Sequence, residues 1–419
     1  MSLVQKRFLS GLLVFLLIFV AAVGIAEASK INANLEKELA KAAEGDMLDV
    51  LIHLNDEPKL FNGMSNSEAV QIMKETAVTS QEIVLDKLKE KDNQVKIKNT
   101  FWIVNVISAQ LEKGLISEIA KMEQVDKIYS SFEITIPEPK KEPAANQSWE
   151  HVESTKAPLF WDEGYRGQGI TVCVLDTGID ADHPEFNGEL SYWAEFDGSG
   201  NIISEDPEDA YDSDDHGSHT SGTVYGRNIG QYNIGMAPEA TMAHGLVIPA
   251  GGGSFEQVAA GMQWAADRGF DIVNMSLGAN GQHEIMREAT DNLLAADVLL
   301  AASIGNDGPG MTGAPGNTPS AVGVGAYDSE GEIAYFSGGG IVEYPDYDYD
   351  ENSRVKPDIS GPGVNIYSVL PGGGYQLMNG TSMSSPHLAG AAALIKSADP
   401  EMSALELREI LYKSVGGHD

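Results

Sequence analysis

Five short, mostly apolar runs dictate what the second half of this chain can fold into: residues 170–175, 241–248, 271–275, 298–302 and 321–324. A strand with one wet face alternates apolar and polar side chains, so runs without that alternation are buried on both faces. Helical patterns separate them. Phe255, Val258, Ala259, Met262 and Ala266 recur on one helix face, and residues 285–294 and 387–395 repeat the spacing. Buried strands joined through helices predict an α/β fold, a mostly parallel sheet with helices over both faces. In such sheets binding and chemistry collect beyond the carboxyl ends of the strands.

The residues just past each run are therefore informative. Asp176 comes directly after 170–175, His216 and His219 stand where a helix begins, Asn306 closely succeeds 298–302, and Ser382 leads into a helix of small residues. Each alone reads as a cap, a satisfied loop histidine or a turn residue. Together at one sheet edge they fit nucleophilic acyl transfer. A serine hydroxyl needs an imidazole to take its proton, and the imidazole needs a carboxylate to fix its tautomer. The oxyanion needs preorganised donors, such as a side-chain amide and a backbone N–H at a helix start. The roles expected are Asp176 as orienter, His216 as base then acid, Ser382 as nucleophile, and Asn306 with the Ser382 N–H as oxyanion hole. His216 opens its motif on the cleft side, whereas His219, one turn on, is expected to pack inward.

These blocks resemble the subtilisin-like serine protease (subtilase) family. VCVLDTGID (172–180), HGSHTSGT (216–223) and GTSMSSPHLAG (380–390) are similar to its Asp, His and Ser blocks and keep its order, with the resemblance covering about 160–414. It implies a subtilisin-like fold and a wall of the primary specificity pocket at Ser276, Leu277 and Gly278. Gly305 and Gly313 would form the opposite side and base. Gly251, Gly252, Gly253 and Ser254 resemble the edge strand to which an extended substrate adds by backbone hydrogen bonds. Asp307 would put a carboxylate at the pocket rim and extend acceptance to basic residues. Residues 48–136 resemble the inhibitor-type propeptide of the family, a small ferredoxin-like α+β domain that assists folding and then blocks the cleft. The resemblance also leads one to expect another strand or helix beyond the helix at 403–414.

The first half supports a separate unit. Residues 1–145 hold 21 acidic and 17 basic residues, and 146–419 hold 41 and 10, with the break at the Pro/Lys/Glu-rich stretch 137–144. Strands are predicted at 49–54, 101–111 and 125–134, with helices at 68–91 and 115–122. His53 reads as a strand-face residue rather than a ligand. Lys6 and Arg7 precede an uncharged apolar run at 8–26, and Ala26-Glu27-Ala28 has the small-x-small form of a signal-peptidase site. The expected organisation is a signal peptide at 1–28, a propeptide at 29–145 with its junction in 136–150, and a catalytic domain at 146–419. An uncleaved anchor is the rival to the signal reading.

Composition excludes several classes. A formal charge of -35 repels nucleic acid and anionic membranes. One cysteine, Cys173, excludes an intramolecular disulfide framework and reads as a small buried hydrophobe. No cofactor is required for the chemistry. The loop 228–233 stands where the family has a calcium loop, but Ile229 replaces an oxygen ligand. Structural calcium is instead a candidate at the acidic stretch 205–215 or at Asp346, Asp348 and Asp350, which share one face of an extended segment; a solvated acidic loop is the plainer reading. The function expected is a secreted endopeptidase acting on proteins and peptides, made as a self-processing zymogen. The rivals are a peptide ligase or cyclase on the same site, and a non-catalytic binding module.

Overall fold

The computed structural model describes residues 29–60, 64–136, 139–143, 150–227, 233–344 and 355–414. The apolar run at 8–26, most of the 228–233 loop and Asp346, Asp348 and Asp350 lie outside the described residues.

The N-terminal unit opens with α1 (Ala33–Lys41), capped by the Asn32 side chain, and β1 (Met47–Leu54). Then come α2 (Asn66–Lys89), β2 (Val95–Phe101), β3 (Val106–Glu112), α3 (Lys113–Ile119) and β4 (Val125–Ser130). A capping box of Ser65 and Glu68 starts α2. The four strands form an antiparallel sheet in the order β2-β3-β1-β4. Its faces obey the period of two. Val50, Ile52 and Leu54 pack with Val84, Leu88, Leu115 and Ile119 in the unit's own core. Leu51, Phe101, Val106 and Tyr129 join an apolar cluster that continues into the second unit through Phe255, Val258 and Met286.

Two predicted strands are cut. The stretch 101–111 breaks at Trp102–Asn105, where Asn105 takes a left-handed φ of 41°. The β propensity of FWIVN is overridden from outside the unit. Gln263 Oε1 accepts the N–H groups of Trp102 and Ile103 at 2.5 and 3.1 Å, and Asn292 Nδ2 donates to Ile103 O at 2.8 Å. The stretch 125–134 ends its sheet at Ser130 and starts a new strand, β5 (Glu133–Thr135), with β6 (Lys140–Pro143) after it.

The second unit begins with α4 (Glu150–Ser154), α5 (Ala157–Asp162), β7 (Thr171–Asp176), β8 (Leu190–Phe196), β9 (Ile202–Ser204), α6 (His216–Tyr225), β10 (Thr241–Leu246) and β11 (Gly252–Ser254). It continues with α7 (Phe255–Arg268), β12 (Ile272–Met275), α8 (Glu284–Ala295), β13 (Leu299–Ser303), β14 (Val322–Tyr327) and β15 (Ile359–Pro362). The hairpin β16 (Ile366–Leu370) and β17 (Gly374–Asn379) and the helices α9 (Thr381–Ala398) and α10 (Ala404–Ser414) close it. One sheet runs β15-β14-β13-β12-β7-β10-β8-β9, parallel except for β8 with β9. The predicted mostly parallel sheet with helices on both faces is present.

Successive residues of β7 explain the unbroken apolar pattern. Cys173 and Leu175 face the cluster under α7 and α8, while Val172 and Val174 face the cluster under α6, α9 and α10. Helices α7, α8, α9 and α10 lie where the sequence places them. The strands at 190–196 and 374–379 escaped prediction because their polar-apolar mixture lacks a continuous run. Among the described residues, no helix is long and apolar enough to cross a membrane.

Candidate active site

β7 delivers Asp176 to the carboxyl edge of the sheet, where successive connections diverge to β10 on one side and β12 on the other. Two glycines bring the next element to it. Gly178 has φ of 114°, and a Cβ there would stand 2.0 Å from Tyr211 O; a Cβ on Gly217, the second residue of α6, would stand 2.0 Å from Gly178 O. The strand end and the helix start thus touch backbone to backbone, which fixes His216 beside Asp176. Gly217→Ala is expected to force these segments apart at a cost of roughly 1–3 kcal/mol. A lowered thermal midpoint checks this, and an unchanged one contradicts the packing described.

Asp176 and His216 are both fully buried. Asp176 Oδ1 lies 2.8 Å from His216 Nδ1 and accepts the Thr177 N–H at 2.8 Å, while Oδ2 accepts Thr220 Oγ1 at 3.2 Å. The carboxylate is held on both oxygens, so the imidazole has one orientation. His216 Nε2 is buried with no hydrogen-bond partner among the described residues. His219 turns away and sets its Nε2 3.0 Å from Ile366 O.

Ser382 lies in the first turn of α9, which packs against α6. Its hydroxyl donates to Ser276 O at 3.2 Å rather than to His216, and Ser276 Oγ donates to Ser382 O at 2.7 Å. Asn274 supports this pair by donating to Ser276 Oγ and accepting from Ser385 Oγ. Asn306 Oδ1 accepts both the N–H and the hydroxyl of Thr381 at 2.9 Å. With its oxygen committed to the helix start, the amide has its Nδ2 beside Gly380, where a Cβ would come to 3.2 Å.

The chain's own segment fills the groove next to this edge. β5 pairs antiparallel with β11, setting Thr135 opposite Gly252, Ile134 opposite Gly253 and Glu133 opposite Ser254. On its other side Thr135 exchanges two backbone hydrogen bonds with Gly278, at 3.0 and 2.8 Å, and the Ile136 N–H donates to Gly251 O at 3.2 Å. Ile136, Pro139, Lys141, Asp214, His216 and Gly251 line one cavity of about 500 Å³. Beyond it β6 adds to the edge of β17.

A family model described as the subtilase family matches residues 167–418. The chain belongs to the subtilase family. Subtilisin E of Bacillus subtilis (strain 168) is 31% identical over 336 residues, 78% of this chain and 79% of the relative. An alkaline protease of Alkalihalobacillus alcalophilus is 30% identical over 384 residues, 91% of this chain and 90% of the relative. A subtilisin of Bacillus pumilus is 33% identical over 265 residues, 62% of this chain and 88% of the relative.

Around Asp176, His216 and Ser382 of this subtilase, the residues expected to bind substrate differ in what they offer. Leu277 is fully buried in the hydrophobic core, so segment 276–278 gives the groove its backbone rather than that side chain. Gly305 has φ of 105° and donates its N–H to Thr381 Oγ1; Gly313 is buried and donates to Ile304 O. Asp307 is exposed on the loop after Asn306. Cys173 is buried in the core. Among the described residues no group of three or more His, Cys, Asp or Glu could hold a metal ion.

Sequence reasoning passed over the acids of loop 212–215 as individual groups. Asp212 accepts from Thr177 Oγ1, the Ser218 N–H and the Asp214 N–H, and burial, opposed by these bonds, pushes its carboxyl up to about 7. Asp214 accepts the N–H groups of Asp215 and His216. Partial burial acts to raise its pKa, but hydrogen bonds from Asp215 and Lys141 outweigh this and hold it far below the usual carboxylate range. The available signal was the position of this run immediately before the His216 helix.

Proposed function

We propose that this subtilase is a secreted serine endopeptidase, made as a zymogen, that hydrolyses proteins and peptides through an acyl-enzyme on Ser382. The observation that carries the reading is the backbone pairing of segment 133–136 between β11 and Gly278, which leads an extended chain to the Asp176–His216 pair. A protein substrate would add by the same hydrogen bonds, which read backbone rather than sequence.

For attack, the Ser382 hydroxyl leaves Ser276 O and turns to His216 Nε2, the buried nitrogen with no partner among the described residues. His216 takes the proton as the Ser382 oxygen bonds to the carbonyl carbon, and Asp176 stabilises the resulting imidazolium. The Asn306 amide and the Ser382 N–H, at the positive end of α9, receive the oxyanion. His216 then protonates the leaving amine, and water releases the acyl group by the same steps. Asn306→Ala is expected to lower kcat by about 10²–10³ with little change in KM, because its donor acts on the oxyanion more than on the bound carbonyl. Steady-state kinetics on a peptide amide checks it.

In this reading residues 29–145 are a propeptide and inhibitor, and residues 1–28 an export signal. The sheet of the N-terminal unit rests on α7 and α8, and buried Glu256 at the start of α7 accepts hydrogen bonds from Ser108 and Ser131 at 2.8 Å. The segment after it occupies the groove until it is cut. The cut is expected between Ile136 and Lys140, next to the cavity that Ile136, Pro139 and Lys141 line with His216. Expression of the full chain should yield a new N-terminus there, and a fluorophosphonate probe should label Ser382 alone. A chain that stays intact and unlabelled would overturn the proposal.

A further inference from the structure

The segment that fills the groove turns every second side chain inward. Ile134 is fully buried in the hydrophobic core, and Phe132 and Ile136 pack against the same cluster. Phe132 is where the chain leaves its own unit. The Ser131 N–H still donates to Asp49 O, whereas Phe132 O accepts the Phe255 N–H at 3.1 Å, one step on from the pairing of β5 with β11. Two rings of the second unit hold the Phe132 side chain. His283 stacks on it with centroids 4.4 Å apart and planes at 21°, and Phe255 lies 5.1 Å away at 33°. Phe255 is fully buried, so the core fixes its ring. His283 has its Nε2 3.1 Å from Asn280 O, and burial lowers its pKa from the ordinary histidine value, which keeps the ring neutral at pH 7. Its side chain makes no cap bond to α8, so the helix start does not require a histidine there. Beside the stack, a cavity of about 310 Å³ lined by Phe132, Gln282, His283, Ile285 and Tyr344 leaves room for a ring larger than phenyl.

We propose that His283 and Phe255 form an aromatic-binding slot at the far end of the substrate groove, selecting an aromatic residue three places before the substrate residue that pairs with Gly278. The inference rests on the endopeptidase reading and deepens it. Both walls belong to the second unit and stay when the N-terminal unit departs, so Phe132 is the slot's first occupant rather than part of it. The backbone pairing with β11 and Gly278 accepts any extended chain, and discrimination has to come from side-chain pockets such as this one. Stacking between neutral rings contributes a modest gain, roughly two- to tenfold in affinity. The slot grips the substrate equally before and during reaction, so the gain is expected in KM rather than in kcat.

The test uses the full chain, expressed and left to process itself, with internally quenched peptides that keep the order of residues 131–136 ahead of an alanine-rich tail. The residue matching Phe132 is varied among Phe, Tyr, Leu and Ala. In two controls Phe is moved one place to either side, onto the outward face of the strand, with Ala left behind. The expected result is a kcat/KM roughly two- to tenfold higher for Phe and Tyr than for Ala, with Leu between them and no gain in either control. In His283→Ala the Phe/Ala ratio should fall toward unity, and in His283→Phe, which keeps a ring to stack on, it should recover. Equal rates for Phe and Ala in the wild-type chain overturn the slot and leave the endopeptidase intact. A ratio that His283→Ala leaves unchanged, or an equal gain in the shifted controls, overturns it too, since general apolarity would then account for the preference. Failure to cleave any peptide overturns the endopeptidase reading and the slot with it.

Discussion

Replacing Ser382 with alanine is expected to lower kcat by roughly 10⁶-fold, the scale on which removing an acyl-accepting serine acts, and to leave a full-length chain with no new N-terminus between Ile136 and Lys140. The change is small in volume. Its structural cost is the hydrogen bond from Ser382 Oγ to Ser276 O, while the reciprocal bond from Ser276 Oγ to Ser382 O uses the backbone and persists. Fold and activity therefore separate: the variant should melt within a few degrees of wild type while both turnover and self-cleavage vanish. Peptide hydrolysis and mass spectrometry of the purified chain read the two losses together. Residual self-cleavage at an undiminished rate would mean that Ser382 is not the group that attacks.

The parallel sheet was legible because strands buried on both faces have nowhere to put polar residues, as Val172, Cys173, Val174 and Leu175 illustrate. Asp176 and His216 were legible as partners because each adjoins a pattern the fold requires, a strand end and a helix start. The break at Trp102–Asn105 was not. Its backbone groups bond to Gln263 and Asn292, more than 150 positions away, and a local pattern carries no trace of that. The same reason hid β5, whose partners are Gly252–Ser254 and Gly278. Ser382 stood out by its motif, but the direction of its hydroxyl depends on Ser276, a contact across the fold. The acids at 212–215 looked like one solvated patch because charge counts do not distinguish Asp212, half-buried and holding three hydrogen bonds, from an exposed carboxylate.

Four buried histidines make the second unit sensitive to acid, and stability should fall steeply between pH 6.5 and 4. Burial lowers His219 to about 3, helped by the charge of His216, and lowers His244 and His387 to about 4. His151 is pushed well below its usual value by burial and by His387, whose Nε2 lies 2.8 Å from its Nδ1. Each ring stays neutral in the fold but gains a proton near pH 6.5 once the chain unfolds. The unfolded state then binds more protons, so the stabilisation is complete above pH 6.5 and declines as pH falls, by about 1.4 kcal/mol per unit for each ring. Asp212 acts in the opposite sense, because its raised pKa favours the fold at low pH and that gain is lost as pH climbs toward 7. Glu185 and Asp291, raised by burial, act as Asp212 does, and His183, lowered by burial, acts with the four rings, which outnumber the carboxyls and leave a net decline toward acid. His53 works at the alkaline end. It lies 3.1 Å from Asp126 and 2.8 Å from Glu288 of the second unit, and despite burial these acids raise it to about 9. Its contribution is full below pH 6.5 and lost as pH rises through 9, which places the best stability of the uncut chain near neutrality. Urea unfolding of the Ser382→Ala chain from pH 9 to 4 avoids self-digestion and measures both limbs; a midpoint that stays flat from pH 7.5 to 5 would refute the histidine account.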